Sequence, residues 1–256
     1  MTDIFIHSFR FGENTHLVAE APSCLSAEEL ARADRFKVER ARLDFLISHH
    51  LLRQTLCRYL QTDARSIGYR YGQHGKPHLK TAGRHELNFS LSHSGDRLLI
   101  AICNNCEIGV DIEQIQERSN PLQLAHHFMS EDEALQLAEL KDPVAQREFF
   151  FTLWTRKEAY IKALGKGFFH AINKTDMNQI SAGIHVPSSK DHREYRVFDL
   201  EIAGDYKAAV AIRMDGDSPA NIISWNNENS DAPGQWSVTV YQKVCRRPFT
   251  DYRSTV

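Results

Sequence analysis

The sequence predicts an α+β fold whose second half repeats the pattern of the first without visible sequence identity. Each half contains a Ser-x-x-Glu capping box ahead of a long stretch with apolar residues at helical spacing. Each half also contains short alternating stretches, which indicate antiparallel strands joined by tight turns. We therefore expect an N-terminal α+β half over 1–105, a C-terminal half over 106–215, and a loop with a final strand over 216–256.

Helix starts and lengths can be predicted in both halves. The serine and the glutamate of a capping box each accept a hydrogen bond from the other's backbone N–H. The two boxes are Ser26 with Glu29 and Ser130 with Glu133. Apolar residues at helical spacing then predict two long amphipathic helices, over 41–60 and 145–164. Gly165 is expected to end the second helix, because glycine readily adopts the left-handed conformation found there.

Strands and turns fill the rest of each half. The stretch "HELNFSLSHSG" indicates a strand that runs into a polar loop, and "RLLIAIC" and "EIGVDIE" predict two strands around an Asn104-Asn105 turn. In the second half, the alternating stretches 194–202 and 206–213 predict a hairpin. Residues 214–235 are polar and rich in turn residues, which indicates a surface loop, and "WSVTVYQKV" predicts a last strand.

The composition argues against two classes of partner. Hydrophobic residues make up 42% and charged residues 25% of the chain, and the formal net charge is −2. A chain without a global basic field is not expected to bind nucleic acid or an anionic membrane surface. No apolar run approaches the roughly 20 residues of a membrane span, and the first residues show no secretory signal. We therefore expect a cytoplasmic protein.

The five cysteines are expected to be free thiols, because an odd and scattered set fits a reducing cytoplasm. Cys103 and Cys106 match the C-x-x-C pattern, but they bracket a turn between strands, whereas a redox motif normally opens a helix. A zinc site would need two further ligands at matching spacing, and no second pair is present. We interpret the pattern as coincidental.

Two acidic residues of "IGVDIE" fall on one face of an extended strand. Because side chains alternate along a strand, Asp111 and Glu113 point away from their apolar neighbours and lie ~7 Å apart. On pattern alone, a solvated acidic face is the simpler interpretation. The alternative is a divalent-cation site, because Mg²⁺ favours a few carboxylates with substrate phosphates and water, and Glu158 can supply a third acid.

The stretch "WTRKEAYIKALGKG" carries further polar groups. Glu158 and Lys162 lie one turn apart, which in isolation is an ion pair worth only ~0.2–0.5 kcal/mol. Lys157 falls inside the apolar stripe, so either its stem reaches past apolar surface to water or that face is not wholly core. Ser92 and His93 can both donate to phosphate oxygens, although a lone histidine is more often structural.

Four blocks together resemble the Sfp-type 4′-phosphopantetheinyl transferases. "HGKPHL", "NFSLSHSG", "IGVDIE" and "FFTLWTRKEAYIKALGKGF" occur in the order and approximate spacing of that family and cover residues 74–168. The hallmark is a G-[IV]-D-[IL]-E strand followed later by W-x-x-K-E. Here Asp111 and Glu158 are 47 residues apart (111 to 158).

The resemblance implies two similar α+β halves related by pseudo-twofold symmetry, with coenzyme A bound in the active-site cleft between them. It implies transfer of the 4′-phosphopantetheine moiety of coenzyme A to a serine of an apo acyl or peptidyl carrier protein, with release of adenosine 3′,5′-bisphosphate. Carriers of fatty-acid, polyketide, polyunsaturated-fatty-acid and nonribosomal-peptide synthases all stay open as partners. A monomer is expected, because a small trimeric relative would supply only one half per chain.

By position, the resemblance also implies catalytic roles. Asp111, Glu113 and Glu158 would hold Mg²⁺, with Mn²⁺ as an alternative, against the pyrophosphate. Glu158 would also be the base for the serine proton, directly or through a water. Lys162 and His93 would contact the pyrophosphate oxygens.

The resemblance further implies residues that bind the nucleotide. Its pocket would be lined by Lys76, Pro77 and Ser92. Arg32 and Arg53 would meet the 3′-phosphate. Glu29 departs from the pattern, because some relatives carry a basic residue there.

Two other functions stay open at this point. An Asp–Glu pair with a nearby lysine also serves Mg²⁺-dependent nucleases and phosphohydrolases, although such a nuclease should show a basic groove. The second alternative is a relative that binds coenzyme A or a carrier protein without turnover. Loss of an acid or of the helix lysine would have indicated it, and Asp111, Glu113, Glu158 and Lys162 are all present.

Overall fold

A computed structural model describes residues 2–80, 87–165, 175–178, 194–214, 220–226 and 237–241. Its strands are β1 (Thr2–Arg10), β2 (Tyr69–Tyr71), β3 (Pro77–Leu79), β4 (Leu87–Ser94), β5 (Arg97–Asn104), β6 (Ile108–Gln114), β7 (Glu194–Leu200), β8 (Tyr206–Met214), β9 (Ala220–Asn226) and β10 (Ser237–Tyr241). Its α-helices are α1 (Leu17–Cys24), α2 (Ala27–Ala33), α3 (Glu39–Leu60), α4 (Pro121–Phe128), α5 (Glu131–Glu139) and α6 (Pro143–Leu164). Within these ranges, no helix combines the length and the apolarity needed to cross a lipid bilayer.

The same three-stranded arrangement occurs once in each of two separate sheets. The larger sheet has the order β10-β9-β1-β5-β4 and the smaller has the order β6-β8-β7. β5 pairs antiparallel with β1 and β4, just as β8 pairs antiparallel with β6 and β7. The larger sheet has two additional strands, because β9 pairs parallel with β1 and β10 pairs antiparallel with β9. A separate hairpin joins β2 to β3.

The helices repeat with a constant offset of 104 residues. α4 begins 104 residues after α1 (121 against 17), α5 after α2 (131 against 27) and α6 after α3 (143 against 39). α3 and α6 each contain 22 residues. The prediction of an α+β fold with two similar halves is therefore confirmed. The boundary placed at 105/106 stays a prediction, and the turn from β5 to β6 lies there.

Local sequence signals explain where the helices begin and end. Both predicted capping boxes form, with the serine side chain and the glutamate side chain each accepting from the other's backbone. The long helices begin at Glu39 and Pro143, two residues before the predicted starts at 41 and 145. Gly165 ends α6 in the left-handed region with a φ of 64°, as predicted.

Side-chain alternation along β6 divides its residues between two environments. One apolar core lies between the two sheets, and β6 contributes Ile108, Val110 and Ile112 to it. Two further cores lie under α3 and under α6. Because successive side chains of a strand point to opposite faces, Asp111 and Glu113 are turned toward α6.

β6 crosses α6 at very short range, and Gly109 makes this crossing possible. A Cβ atom at Gly109 would lie 2.0 Å from the carbonyl oxygen of Ala159 and 2.3 Å from the backbone nitrogen of Ala163. Only glycine leaves room for a backbone to approach another backbone this closely. The strand that carries the two acids is therefore in direct contact with the helix that carries Glu158 and Lys162.

Two predictions about irregular segments are wrong. β9 lies within the stretch 214–235 that was predicted as a surface loop, because its short apolar run pairs with β1. The expectation of free thiols fails for Cys103 and Cys106, which form a disulfide across the β5–β6 turn. Asn105 adopts a φ of 56° in this turn, and the two Cα atoms come within 6.2 Å, a distance that a disulfide can span.

Candidate active site

β6 presents two carboxylates to the space between β4 and α6. Asp111 is only 3% exposed, and Glu113 is half-buried. The interpretation as a solvated acidic face is therefore wrong, because these residues face α6 instead of water. Ser92 Oγ donates to Asp111 Oδ1 at 2.8 Å, and Ser94 Oγ donates to Glu113 Oε2 at 2.7 Å.

Alternate serines of β4, in the first half, connect to β6, in the second half. The backbone N–H of Val110 donates to Ser90 Oγ at 3.1 Å, and that of Gln114 donates to Ser94 Oγ at 3.1 Å. β6 is at the edge of its sheet, so these hydroxyls satisfy N–H groups that no strand of that sheet reaches. The polar loop predicted to follow this strand begins only after Ser94, because β4 continues to that residue.

Lys162 joins the carboxylates from α6. Its Nζ donates to Asp111 Oδ1 at 2.7 Å, and its side chain is 30% exposed. This ion pair connects residues 51 positions apart in the sequence. Lys162 is therefore not simply the partner of Glu158 in a local pair one helical turn apart.

Burial makes the charged forms of all three acids unfavourable. Burial and the neighbouring charge of Asp111 raise the pKa of Glu158 to about 7, although Lys162 opposes the shift. Burial likewise raises the pKa of Asp111, against the effects of Lys162 and Ser92. The pKa of Glu113 is raised by burial as well, against a hydrogen bond from Ser94. Perturbed acids that affect one another in a cleft are typical of a functional site.

The donor set fits a divalent cation in chemical type. Asp111 Oδ2 and Glu158 Oε1 are buried, and among the described residues they have no hydrogen-bond partner. Carboxylate oxygens are ligands that Mg²⁺ prefers. The described part of the chain nevertheless contains no group of three or more histidine, cysteine, aspartate or glutamate residues arranged to hold a metal ion. The Lys162 ammonium supplies positive charge at Asp111 instead, and the predicted Mg²⁺ site stays a prediction.

A cavity of about 260 Å³ opens between the turn ahead of β3, β4 and the end of α6. Lys76 and Pro77 line it together with Lys162 and Gly165. Ser92, predicted to line the nucleotide pocket with them, bonds Asp111 through its hydroxyl. The structure thus places Lys76 and Pro77 on a cavity wall and Ser92 in the carboxylate network.

The two arginines predicted for the 3′-phosphate line a different cavity. Arg32 and Arg53 belong to the wall of a cavity of about 910 Å³ that shares no lining residue with the smaller one. Arg53 is 1% exposed, and its guanidinium contacts Glu29 at 2.6 Å and the carbonyl of Ala64. The guanidinium of Arg32 lies 5.3 Å from the ring centre of Phe45. Arg53 therefore balances the buried charge of Glu29, and a phosphate contact by either arginine stays a prediction.

His93 is exposed near the end of β4. Its ring packs edge-on against Phe11 with the ring centres 5.7 Å apart. Because it lies between Ser92 and Ser94, it points to the opposite face of the strand from both serines. The structure therefore places His93 beside an aromatic ring and outside the hydrogen bonds of the carboxylates.

Sequence reasoning missed several residues that shape this site. Ser90 and Ser94 hold β6 against β4, Gly109 permits the close crossing, and the side chain of Trp154 hydrogen-bonds Glu113. The serines of "SLSHS" recur with the period of a strand, which was a usable signal. Gly109 and Trp154 are part of the hallmark motif, but the motif did not indicate that one permits the close crossing and the other bonds Glu113.

Comparisons with known proteins cover both halves of the chain. The sequence profile described as "4′-phosphopantetheinyl transferase superfamily" matches residues 107–211, and the profile described as "4′-phosphopantetheinyl transferase, N-terminal" matches residues 14–105. The 4′-phosphopantetheinyl transferase Sfp of Bacillus subtilis (strain 168) is 30% identical over 191 residues, which cover 73% of this chain and 82% of Sfp. The transferase psf-1 of Bacillus pumilus is 32% identical over 193 residues, covering 74% of this chain and 79% of psf-1.

A third relative agrees with these two. The 4′-phosphopantetheinyl transferase gsp of Aneurinibacillus migulanus is 32% identical over 166 residues, covering 64% of this chain and 66% of gsp. The family resemblance seen in the four sequence blocks is therefore confirmed, and it extends beyond them. The chain belongs to the 4′-phosphopantetheinyl transferase superfamily and is of the Sfp type.

Proposed function

We propose that Asp111, Glu113, Glu158 and Lys162 form the reaction centre of this 4′-phosphopantetheinyl transferase. The family reaction moves the 4′-phosphopantetheine moiety of coenzyme A to a serine of an apo carrier protein and releases adenosine 3′,5′-bisphosphate. One observation carries the assignment of the site. Two buried carboxylate oxygens, Asp111 Oδ2 and Glu158 Oε1, have no partner within the described residues, in a cluster that contains the Lys162 ammonium.

The protein side chains supply a proton acceptor and a positive charge. The carrier serine oxygen attacks the pantetheine-linked phosphorus, and the bond from that phosphorus to the bridging oxygen breaks. Glu158 would accept the serine proton, directly or through a water, which suits a carboxyl whose pKa is raised to about 7. Lys162, still 30% exposed, is available to the pyrophosphate oxygens as negative charge moves to the leaving group.

Asp111, Glu113 and Glu158 would hold the divalent cation, Mg²⁺ or as an alternative Mn²⁺. When bound, it would neutralise negative charge on the pyrophosphate and the leaving group. The unused oxygens of Asp111 and Glu158 support this role, and the hydroxyls of Ser92 and Ser94 would keep the two β6 acids oriented.

Coenzyme A would occupy the seam between the halves. The smaller cavity, with Lys76 and Pro77 on its wall and Lys162 at its side, is the proposed place for part of the nucleotide. The family resemblance also assigns His93 a contact with a pyrophosphate oxygen, which would require that group to extend past the exposed end of β4. Arg32 and Arg53, on the wall of the larger cavity, would meet the 3′-phosphate.

The partner would be an acyl or peptidyl carrier protein of a fatty-acid, polyketide, polyunsaturated-fatty-acid or nonribosomal-peptide synthase. The transferase would act as a cytoplasmic monomer that carries both halves of the cleft in one chain. A net charge of −2 supports the absence of nucleic acid from its substrates.

A transfer assay with a panel of apo carriers tests the proposal. The chain is incubated with coenzyme A, Mg²⁺ and each carrier, and mass spectrometry detects the added phosphopantetheine. We expect Glu158→Gln and Asp111→Ala to reduce the rate by about a thousandfold or more, because both act on charge that develops in the transition state. Circular dichroism should show that both variants stay folded.

Glu148→Gln is the matched control, since Glu148 is 54% exposed on the same helix as Glu158 and forms a surface ion pair with Lys207. It should keep wild-type activity. Transfer that survives in Glu158→Gln or Asp111→Ala would contradict the proposed centre. Tight coenzyme A binding without transfer to any carrier would favour a binding protein that has lost turnover.

A further inference from the structure

Lys76 directs its ammonium group at backbone carbonyls. Its Nζ lies 2.9 Å from the carbonyl oxygen of Ile108, 2.6 Å from that of Lys162 and 3.4 Å from that of Ala163. An ammonium group has three N–H donors and no acceptor. All three donors of Lys76 can therefore be used by main-chain oxygens, which leaves no preferred donor for a nucleotide phosphate.

The carbonyl groups that Lys76 contacts lie at the two elements of the reaction centre. Those of Lys162 and Ala163 belong to the last turn of α6, where carbonyl groups lack a partner within the helix and carry its negative dipole end. That of Ile108 belongs to the first residue of β6. A single side chain from the first half thus fastens both the strand and the helix of the second half.

The contact lies where β6 and α6 are closest. Gly109 follows Ile108 directly, and a Cβ there would collide with the backbone of Ala159 and of Ala163. The stem of Lys76 packs on the end of the same helix, because a Cβ at Gly165 would lie 3.6 Å from Lys76 Cδ. A small shift of α6 along β6 at this point would move Lys162 away from Asp111.

We propose that Lys76 is a positioning residue of the transferase. It acts through the carbonyls of Ile108, Lys162 and Ala163 and keeps the side chains of α6 aligned with Asp111. Binding of the nucleotide phosphates is not its task. The expected effect of Lys76 on the reaction rate rests on the proposed reaction centre. Its expected effect on the position of α6 does not depend on the activity.

Burial supports the assignment. It lowers the pKa of Lys76 to about 8, with Glu107 opposing the shift. Burying an ammonium group is unfavourable unless hydrogen bonds compensate, and the three carbonyl contacts provide them. A lysine kept for phosphate binding alone would not need to be withdrawn from water in this way.

The test separates positioning from nucleotide binding by kinetics. Lys76→Met removes the donors and keeps most of the apolar stem, and Lys76→Arg restores several N–H groups. We expect Lys76→Met to lower kcat by about tenfold or more while KM for coenzyme A changes by less than about threefold. The reason is that the substitution removes an interaction with the protein backbone and does not remove a contact with the substrate. Lys76→Arg should recover much of kcat. Lys141→Met, at an exposed lysine before α6, should match wild type.

Hydrogen–deuterium exchange supplies a readout without activity. Peptides from the end of α6 and the start of β6 should exchange faster in Lys76→Met than in wild type, while peptides from α3 stay unchanged. The exchange can be measured even if the wild-type chain modifies none of the carriers offered. A failure of the proposed function can therefore be told apart from a failure of the role proposed for Lys76. Should Lys76→Met not fold, Lys76→Gln, which keeps an N–H donor without the charge, is measured in the same way.

Two results would overturn the proposal. A raised KM for coenzyme A with unchanged kcat and unchanged exchange would identify Lys76 as a nucleotide contact. Wild-type kcat and exchange in Lys76→Met would show that the three carbonyl contacts do not hold α6.

Discussion

At the scale of single side chains, Asp111 and Glu158 each have a buried carboxylate oxygen that has no hydrogen-bond partner among the described residues. Ser92 and Lys162 both donate to Asp111 Oδ1, whereas Oδ2 is buried without a partner in the described structure. Glu158 Oε1 is likewise buried without a hydrogen-bond partner among the described residues. Buried polar atoms without partners are costly, and proteins usually keep them where a ligand completes the bonding. The arrangement is therefore more stable with a cation or a proton present than with neither.

Stability of the metal-free protein should consequently depend on pH through Glu158. Its pKa is raised from 4.5 to about 7 on folding, so between these values the folded chain binds more protons than the unfolded chain. The free energy of unfolding then falls as pH rises through this window. We expect Glu158→Gln to gain thermal stability relative to wild type from pH 4.5 to pH 7 in a chelating buffer, as followed by circular dichroism.

Other titrating groups are common to both proteins and largely cancel in this comparison. A difference in Tm that stays constant across the pH range would mean that Glu158 is not in the environment described.

Among helices and strands, each half fastens its capping box to its long helix by the same device. Glu29 contacts Arg53 of α3 at 2.6 Å, and Glu133 contacts Lys157 of α6 at 2.6 Å. Both cations lie 14 residues into their helices (39 to 53 and 143 to 157). Lys157 is 1% exposed, so its ammonium group does not reach water, and the second possibility holds, because this face of α6 buries an ion pair and is not wholly apolar core. The repeated ion pair is structural.

Removing one partner of the second pair should be strongly destabilising. Lys157→Met would leave the Glu133 carboxylate buried without its cation, which costs about 3–5 kcal/mol of unfolding free energy. The double variant Lys157→Met with Glu133→Gln should recover a large part of this loss, because no charge is then buried. Urea unfolding monitored by fluorescence measures both values.

Lys141→Met changes an exposed lysine and should leave the unfolding free energy within about 0.5 kcal/mol of wild type. A Lys157→Met variant as stable as this control would contradict the buried pair.

At the scale of the fold, the two halves of the chain use equivalent strand edges differently. The edge of β6 meets the serine side chains of β4, and the proposed centre forms there. The corresponding edge of β1 is instead paired with β9, which is followed by β10. The strands after residue 214 thus extend the sheet of the first half, and of the two equivalent edges it is the β6 edge that meets the other half.

Truncation should reveal the role of β9 and β10. A chain that ends at residue 214 leaves the β1 edge unpaired, and unpaired edges favour association with other chains. We expect it to have a lower Tm and to form larger species with rising concentration, as measured by light scattering after gel filtration. A chain that ends at residue 241 keeps β9 and β10 and should therefore have the higher Tm of the two truncated chains and form fewer large species. Equal behaviour of the two truncated chains would contradict the role of β9.

Local signals predict much of this fold, and long-range contacts account for what they miss. Capping boxes, apolar spacing and Gly165 located α3 and α6 to within two residues, because these effects operate within a few positions. The bond of Lys162 to Asp111 joins residues 51 apart, and the bond of Lys76 to the Lys162 carbonyl joins residues 86 apart. Such partners depend on how the sheets pack, which no short pattern encodes. The pairing of β9 with β1 was missed for the same reason.

The pairing of β1 with β9 has a consequence for biosynthesis. β1 ends at residue 10, whereas β9 begins at residue 220, so their partnership must wait for 210 further residues (10 to 220). At about 5–20 residues per second, a ribosome needs about 10 to 40 seconds to deliver them. Throughout that interval the backbone N–H and C=O groups on this side of β1 have no strand to pair with. We expect the nascent polypeptide to need chaperones most during this time.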